Sequence, residues 1–212
     1  CSSDLVLHGD YKKMGIVPER SPKITRYIGV SKRACESFYE LTGIKADLVY
    51  NPFEAEKIEG GEKKILRLIS ATRLSSEKGG GRIVSLCNAL DKAGVSYEMH
   101  VYSNDVRRMP RNMPHIFYHE PTLDIEREIA SADYLVQLSD TEGYCYSVIE
   151  SLMVGTPVIV TDCPVYRELG VIDGENAFVV DFDMNNVPVK KILKGLPKFR
   201  YEPVEDCWDR IL

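Results

Sequence analysis

This sequence lacks most of the features that announce a function outright. No two of its six cysteines form a C-x-x-C pair, and its four histidines do not cluster with them. That spacing does not supply a zinc site and reads as free, reduced thiols in a cytoplasmic protein. No apolar run approaches the roughly 20 residues of a membrane-spanning helix, and no signal-peptide pattern is read at the start. Positive charge is not in excess: 27 Lys and Arg stand against 32 Asp and Glu, for a formal net charge of -5. A nucleic-acid partner is therefore not expected, and an anionic ligand must be met by local positive charge. Gly-x-x-x-x-Gly-Lys-Ser/Thr is missing, as is Gly-x-Gly-x-x-Gly with a matching acid at the end of the next strand. These absences argue against a P-loop and against an NAD-dependent dehydrogenase. Internal repeats and low-complexity tracts are missing too. The chain starts at Cys1 without a methionine and is read as an excised piece.

What is present is ordinary globular material. Hydrophobic residues make up 44% and charged residues 28%, enough for a sizeable core under a mixed surface. "ITRYIGVS" predicts a strand running into a helix cap at Ser31, with the helix ending near Leu41 at Gly43. "DLVYNP" predicts a second strand closed by Asn51 and Pro52. The polar stretch 54–64, rich in Gly, Glu and Lys, suits a domain joint. Beyond it strands and helices alternate. "ILRLISA", "SYEMHVYS", "HIFYH", "DYLVQLS", "PVIVTD" and "AFVVDFD" read as strands, and helical patterns separate most of them. The expectation is an α/β, Rossmann-like parallel sheet with helices on both faces, and ligands at the carboxyl ends of the strands. Three divisions follow: 1–55 as the end of a preceding domain and its joint, 56–183 as the ligand-binding domain, and 184–212 as a tail in which "CWDRIL" suggests a terminal amphipathic helix.

Two stretches carry candidate chemistry. In "SATRLSSEKGGGR", Arg73 and Lys78 follow a strand, and Gly79, Gly80 and Gly81 precede a helix. Unpaired N–H groups at a helix start, glycines that let a ligand approach, a guanidinium fork and a compact ammonium together suit a diphosphate. A solvated loop with surface charges has the same composition. In "EGYCYSVIESLMVGTPVIVTD", Glu142 stands where a strand meets the ligand edge, and Glu150 follows eight positions later. Residues Gly143, Tyr144, Cys145, Tyr146 and Ser147 are expected to open the helix between them. A carboxylate can grip vicinal sugar hydroxyls with two charge-assisted hydrogen bonds. Two separated carboxylates beside a phosphate-binding helix start would suit a ligand built as sugar, diphosphate and ribose. The plainer reading makes Glu142 a helix-dipole charge and Glu150 a surface residue. Apolar neighbours Val148, Ile149, Leu152 and Met153 weigh against that for Glu150. "DFD" at Asp181 to Asp183 imitates an Asp-x-Asp metal motif, but at a strand end it reads as a turn.

Taken in order, these segments resemble the C-terminal, donor-binding domain of the family 4 (group 1) glycosyltransferases, which have the two-domain GT-B fold. The matching pieces are "RLSSEKG", the Glu142-x7-Glu150 spacing running into Gly155-Thr156-Pro157-Val158, and "GENAFVV"; "IGVSK" and "VYNPFE" resemble the close of the N-terminal domain. Thr72, Cys145 and Ala177 stand where the family usually has glycine, and the side chain at Cys145 is expected to narrow the room there. The resemblance implies retaining transfer of a sugar from a nucleotide diphosphate sugar (a UDP-sugar or GDP-sugar among the candidates) to an acceptor, with the base left open. Arg73 and Lys78 would neutralise the leaving group, Glu142 would hold the sugar, and Glu150 the ribose. The N–H groups around Tyr144 to Ser147 would contact phosphate and sugar, and the loop near His119 would border the base. No metal and no cofactor beyond the donor are implied. A saccharide or lipid-linked acceptor would be met through an N-terminal domain that this chain largely lacks, in cell-surface polysaccharide or glycolipid synthesis. The location implied is cytoplasmic, with a peripheral membrane contact for the longer protein. A non-catalytic nucleotide-sugar binding module and a nucleotide-sugar 2-epimerase are the alternatives.

Overall fold

The computed structural model describes residues 3–18, 21–53, 65–104 and 113–204. The expected joint at 54–64 and "CWDRIL" lie outside these residues. Six parallel strands form the main sheet: β4 (Leu66–Ala71), β5 (Tyr97–Tyr102), β6 (Ile116–His119), β7 (Tyr134–Gln137), β8 (Val158–Thr161) and β9 (Ala177–Val180). Their order is β6-β5-β4-β7-β8-β9. The chain starts in the middle, winds outward one way, returns and winds the other. The two halves part between β4 and β7, and that switch point opens a crevice above their carboxyl ends.

The winding distributes the helices. α3 (Gly80–Lys92) carries the chain from β4 to β5, whereas α4 (Ile125–Ser131), α5 (Tyr146–Met153) and α6 (Pro164–Glu168) carry it the opposite way. Right-handed crossovers running in opposite directions must lie on opposite faces. The core divides accordingly. Leu68, Met99, Val136 and Ile159 face Ile83, Leu86 and Leu90 of α3, while Ile69, Leu135, Val158 and Val160 face Ile129, Val148, Leu152 and Val165. Alternation along β4, β7 and β8 sends neighbouring residues to different clusters, the period of two that strands impose. α7 (Val189–Lys194) joins the α3 face through buried Ile192, whose carbonyl accepts the Tyr134 hydroxyl at 3.0 Å. Tyr201 donates to the Leu169 carbonyl at 2.8 Å, so residues past Met184 pack on the sheet unit. Asp183 accepts from the backbone N–H and the side-chain amide of Asn185, as a turn-former does.

A smaller parallel sheet, β1-β2-β3, comes from β1 (Ser3–Leu7), β2 (Ile24–Gly29) and β3 (Asp47–Leu48). Sequence reasoning did not place β1 or the short α1 (Tyr11–Met14). α2 (Lys32–Thr42) has the expected ends: the Ser31 hydroxyl accepts from Ala34 N–H at 3.1 Å, and Gly43 closes it in the left-handed region. "DLVYNP" forms a shorter strand than expected. After Leu48 the chain turns toward the large sheet, where Tyr50 donates to Glu168 at 2.8 Å and the Asn51 carbonyl accepts from Tyr144 at 3.1 Å. Glu168 also accepts from the N–H groups of Lys32 and Arg33 at 2.5 and 3.4 Å, so a carboxylate at the end of α6 caps the start of α2. Val30 lies in the core of the large sheet.

Candidate functional site

The loops after β4 and β7 flank the crevice and are joined to each other. Gly79 sits at φ 76°, and a Cβ there would come within 1.9 Å of the Leu138 carbonyl oxygen. Asp140 N–H donates to the Glu77 carbonyl at 2.6 Å, and Arg82 Nη1 donates to the Leu138 carbonyl at 2.8 Å. This corrects the triple-glycine reading. Gly80 already begins α3 and is buried, and Gly79 is spent on the close approach of the two loops. Sequence alone could not separate a glycine that admits a ligand from one that admits a neighbouring carbonyl.

Arg73 and Lys78 differ sharply. The Arg73 side chain is 72% exposed and lies 3.8 Å from Glu77. Lys78, at the end of a 3-10 turn (Ser76–Lys78), is 14% exposed and places Nζ 2.7 Å from Glu142 Oε2. Glu142 is itself buried. Its other oxygen, Oε1, accepts from Ser139 Oγ at 2.6 Å and Gln137 Nε2 at 3.1 Å. The grip on Glu142 was not foreseen. Its members come from β4's loop and β7's end, and no local motif brackets them.

The helix that sequence reasoning opened at Gly143 begins at Tyr146 instead. Tyr144 is held in the extended loop before it by its hydrogen bond to Asn51 and an edge-on contact with Tyr146 at 5.4 Å. Cys145 occupies the N-cap position, where its weakly accepting sulfur faces at most the Val148 N–H, so among the described residues the N–H groups of Tyr146 and Ser147 are left open to an anion. Burial, with the nearby Glu142 carboxylate, pushes the Cys145 thiol up to about 12, so it stays a neutral thiol rather than a nucleophile at neutral pH. Gly143 is required by packing: a Cβ there would lie 1.7 Å from the His8 carbonyl oxygen.

Three adjoining clefts meet here. One, of about 320 Å³, has Gln137 on its floor and gathers Arg73, Lys78, Glu142, Tyr146, Ser147 and Glu150. A second, of about 370 Å³, places His8, Asp10, Tyr11 and Met14 opposite Arg73, Lys78 and Glu142. The third, of about 340 Å³, extends past Arg73 between Tyr102 and the loop at Pro121, Thr122 and Ile125. His119 lines none of them. Its partner across the β5–β6 ladder is Tyr102, and its ring stacks on Tyr102 at 4.6 Å and meets His100 Nδ1 at 2.9 Å. Burial and His100 lower its pKa. The residues just beyond it, not His119, reach the crevice. A further groove of about 370 Å³, between Ile65, Tyr134 and Leu193, lies at the amino ends of the strands, away from these loops.

Asp10 fixes the second cleft's far wall. It accepts Lys13 N–H at 3.1 Å and a two-pronged contact from Arg33 at 2.7 and 3.1 Å. Burial works to raise its carboxyl, but Arg33 and the Lys13 N–H outweigh that and hold it below the ordinary range. Among the described residues, no group of three or more His, Cys, Asp or Glu is placed to hold a metal ion, and no helix is long and apolar enough to cross a membrane.

Glu150 is half-buried, and no side chain among the described residues is shown hydrogen-bonding its carboxylate. Burial first, and the Glu126 carboxylate second, raise its pKa. A carboxyl whose folded pKa is raised favours the folded chain only while protonated, and that contribution is lost as pH rises through the folded value. Glu150→Gln is therefore expected to melt higher than the parent at pH 7, with the difference closing below about pH 4, where both states are protonated. Melting curves across this range check it; an unchanged or lower melting temperature at pH 7 contradicts it.

Residues 108–196 match the family model described as glycosyl transferases group 1. Comparison with curated protein sequences gives no match. Among solved structures, a mutant of S. aureus TarM in complex with fondaparinux, alpha-GlcNAc-glycerol and UDP superposes with a TM-score of 0.74 at 15% identity, covering 91% of this chain and 43% of that one. Anabaena HepE in complex with UDP-glucose gives 0.69 at 15% identity, covering 85% and 58%. The pneumococcal O-GlcNAc transferase GtfA in complex with UDP and GlcNAc gives 0.65 at 15% identity, covering 91% and 43%. The fold is that of the GT-B glycosyltransferases, as the sequence led one to expect, and this chain spans about half or less of TarM and GtfA and somewhat more of HepE.

Proposed function

With group 1 glycosyl transferase sequence over 108–196 as the premise, we propose that this chain is the donor-binding part of a retaining glycosyltransferase that uses a nucleoside diphosphate sugar. The observation that carries this reading is the buried Lys78–Glu142 pair at 2.7 Å, set at the switch point between Arg73 and the uncapped start of α5. A cation and a carboxylate side by side match a ligand whose diphosphate and sugar are adjacent. The first N–H groups of α5 suit a phosphate oxygen, and Glu150 further along α5 suits ribose hydroxyls. The cleft between Tyr102 and Thr122 has room for a base. UDP is favoured because HepE, TarM and GtfA were each solved with UDP or UDP-glucose.

The reaction's barrier lies in expelling the diphosphate while positive charge builds on the sugar. Preorganised charge aimed at the departing oxygens lowers that barrier. Lys78 and Arg73 supply it in this reading, with no metal required. Front-face retention needs no protein nucleophile, since the acceptor hydroxyl can pass its proton to the leaving phosphate oxygen. The acceptor, a saccharide or a lipid-linked one, would approach through the cleft bearing His8 and Asp10. Most of its binding surface would belong to an N-terminal domain.

The test is a thermal-shift and calorimetric screen of UDP-glucose, UDP-N-acetylglucosamine, the GDP-sugars and NAD. A UDP-sugar is expected to raise the melting temperature, and NAD to leave it unchanged. If no nucleotide sugar binds, the proposal falls. Conversion of the sugar without an acceptor would replace it with an epimerase, and binding without transfer by the longer protein would leave a binding module.

A further inference from the structure

Glu142 is held by more than its lysine, and the way it is held bears on how the sugar end of the site works. Gln137, the last residue of β7, is 3% exposed and stands between Val136 and Leu138, both fully buried. Its Nε2 donates to Ser139 Oγ at 2.9 Å and to Glu142 Oε1 at 3.1 Å. Ser139 Oγ passes its single hydrogen to the same Oε1 at 2.6 Å. Turning the amide over would set a carbonyl oxygen against a carboxylate, so the orientation is dictated chemically. The cost is visible, because Gln137 Oε1 is buried with no hydrogen-bond partner among the described residues. A residue serving only to end a strand in the core would be apolar, and a buried unpaired acceptor calls for an explanation.

Ser139 is itself anchored. Its carbonyl accepts from Thr161 Oγ1 at 2.5 Å, at the end of β8, and from Cys163 Sγ at 3.2 Å, at the start of α6. Oε1 of Glu142 is thus tied through two donors to the rigid sheet. Among the described residues Oε2 meets Lys78 alone, through a flexible side chain at the end of the 3-10 turn that follows β4. Lys78 is also one of the two cations that the proposed donor diphosphate would meet.

We infer that Ser139 and Gln137 are positioning residues for sugar recognition: they keep Glu142 in place while Lys78 turns from its carboxylate toward the diphosphate, and so release Oε2, still correctly aimed, to a sugar hydroxyl. This rests on the donor-site reading above. The sugar grip is then armed by the diphosphate, and a free monosaccharide finds Oε2 occupied.

The experiment is calorimetric titration of the parent chain, Ser139→Ala and Gln137→Met with UDP, UDP-glucose, UDP-N-acetylglucosamine and glucose. Each variant is expected to weaken the preferred UDP-sugar about tenfold, the scale of one hydrogen bond to a charged group, while UDP stays within about twofold. Glucose alone does not bind. In a Glu142→Ala background, Ser139→Ala is expected to change the UDP-sugar affinity no further, a coupling that a general packing defect would not show. Equal losses for UDP and UDP-sugar, additive losses in the Glu142→Ala background, or binding of glucose alone would each overturn the inference and leave the donor site standing. Absence of binding to UDP, to both UDP-sugars and to the GDP-sugars in the parent overturns the donor-site reading and this inference with it; if only a GDP-sugar binds, the same comparison is made with GDP and that sugar. If one variant does not fold, the other carries the same comparison.

Discussion

Lys78→Ala is expected to lose stability and ligand affinity together, whereas Arg73→Ala loses affinity alone. Sequence reasoning gave the two cations equal roles, but their surroundings separate them. Lys78 is 14% exposed and lies 2.7 Å from a carboxylate that is 8% exposed. Removing the lysine leaves that carboxylate buried with one of its three donors, and its one cation, gone. A fully orphaned buried charge costs about 3–5 kcal/mol, and the donors from Ser139 and Gln137 reduce this to about 2 kcal/mol. Arg73 is 72% exposed and 3.8 Å from Glu77, a surface pair worth within about 0.5 kcal/mol. Toward UDP each truncation removes a charged hydrogen-bond donor, about 1.5–3 kcal/mol or roughly ten- to a hundredfold in affinity. Urea denaturation without ligand, paired with UDP titration, separates the two effects. Equal stability losses would mean the Lys78–Glu142 contact is not energetically buried, and unchanged UDP affinity would remove either cation from the site.

Gly143→Ala is expected to be severely damaging, although it adds only one methyl group. The added Cβ would lie 1.7 Å from the His8 carbonyl oxygen and 2.8 Å from Gly9 N, and both are backbone atoms that no rotamer can move aside. The segment carrying His8 must shift, which opens the 370 Å³ cleft and strains the bond between Tyr144 and Asn51. A loss of about 3 kcal/mol is expected, within the range of severe overpacking. Gly155→Ala supplies the control. Gly155 sits at φ 81° with nothing within 4 Å of a built Cβ, so the cost there is conformational only, about 1 kcal/mol. Ligand affinity should fall in the first variant and hold in the second. If Gly143→Ala is no worse than Gly155→Ala, the close packing of the His8 segment on this loop is wrong.

The sequence by itself determined the alternating elements of the large sheet and its parallel sense, and pointed to the carboxyl ends of the strands for the candidate site. These follow from patterns two to four residues long: alternation in β4, β7 and β8, helical spacing in α3 and α5, and punctuation by Ser31, Gly43 and Gly155. It also named Arg73, Lys78, Glu142, Ser147 and Glu150, which the fold brings to one cleft.

Only the tertiary structure decided how those residues divide the work. Lys78 became a buried partner of Glu142 because Gly79 lets one loop settle on the Leu138 carbonyl of the other. Gln137 and Ser139 entered the site because they close on Glu142 from the end of β7. His119 left it because parallel pairing set it beside Tyr102 and His100. Segment 3–14 escaped notice since its strand and helix are too short to show a period, and they hold their places through Ser37, Arg33 and Gly143. Lys78 meets Glu142 from 64 positions away, and Ser37, Arg33 and Gly143 meet segment 3–14 from still other elements; local spacing carries no information about which loops will meet across a sheet.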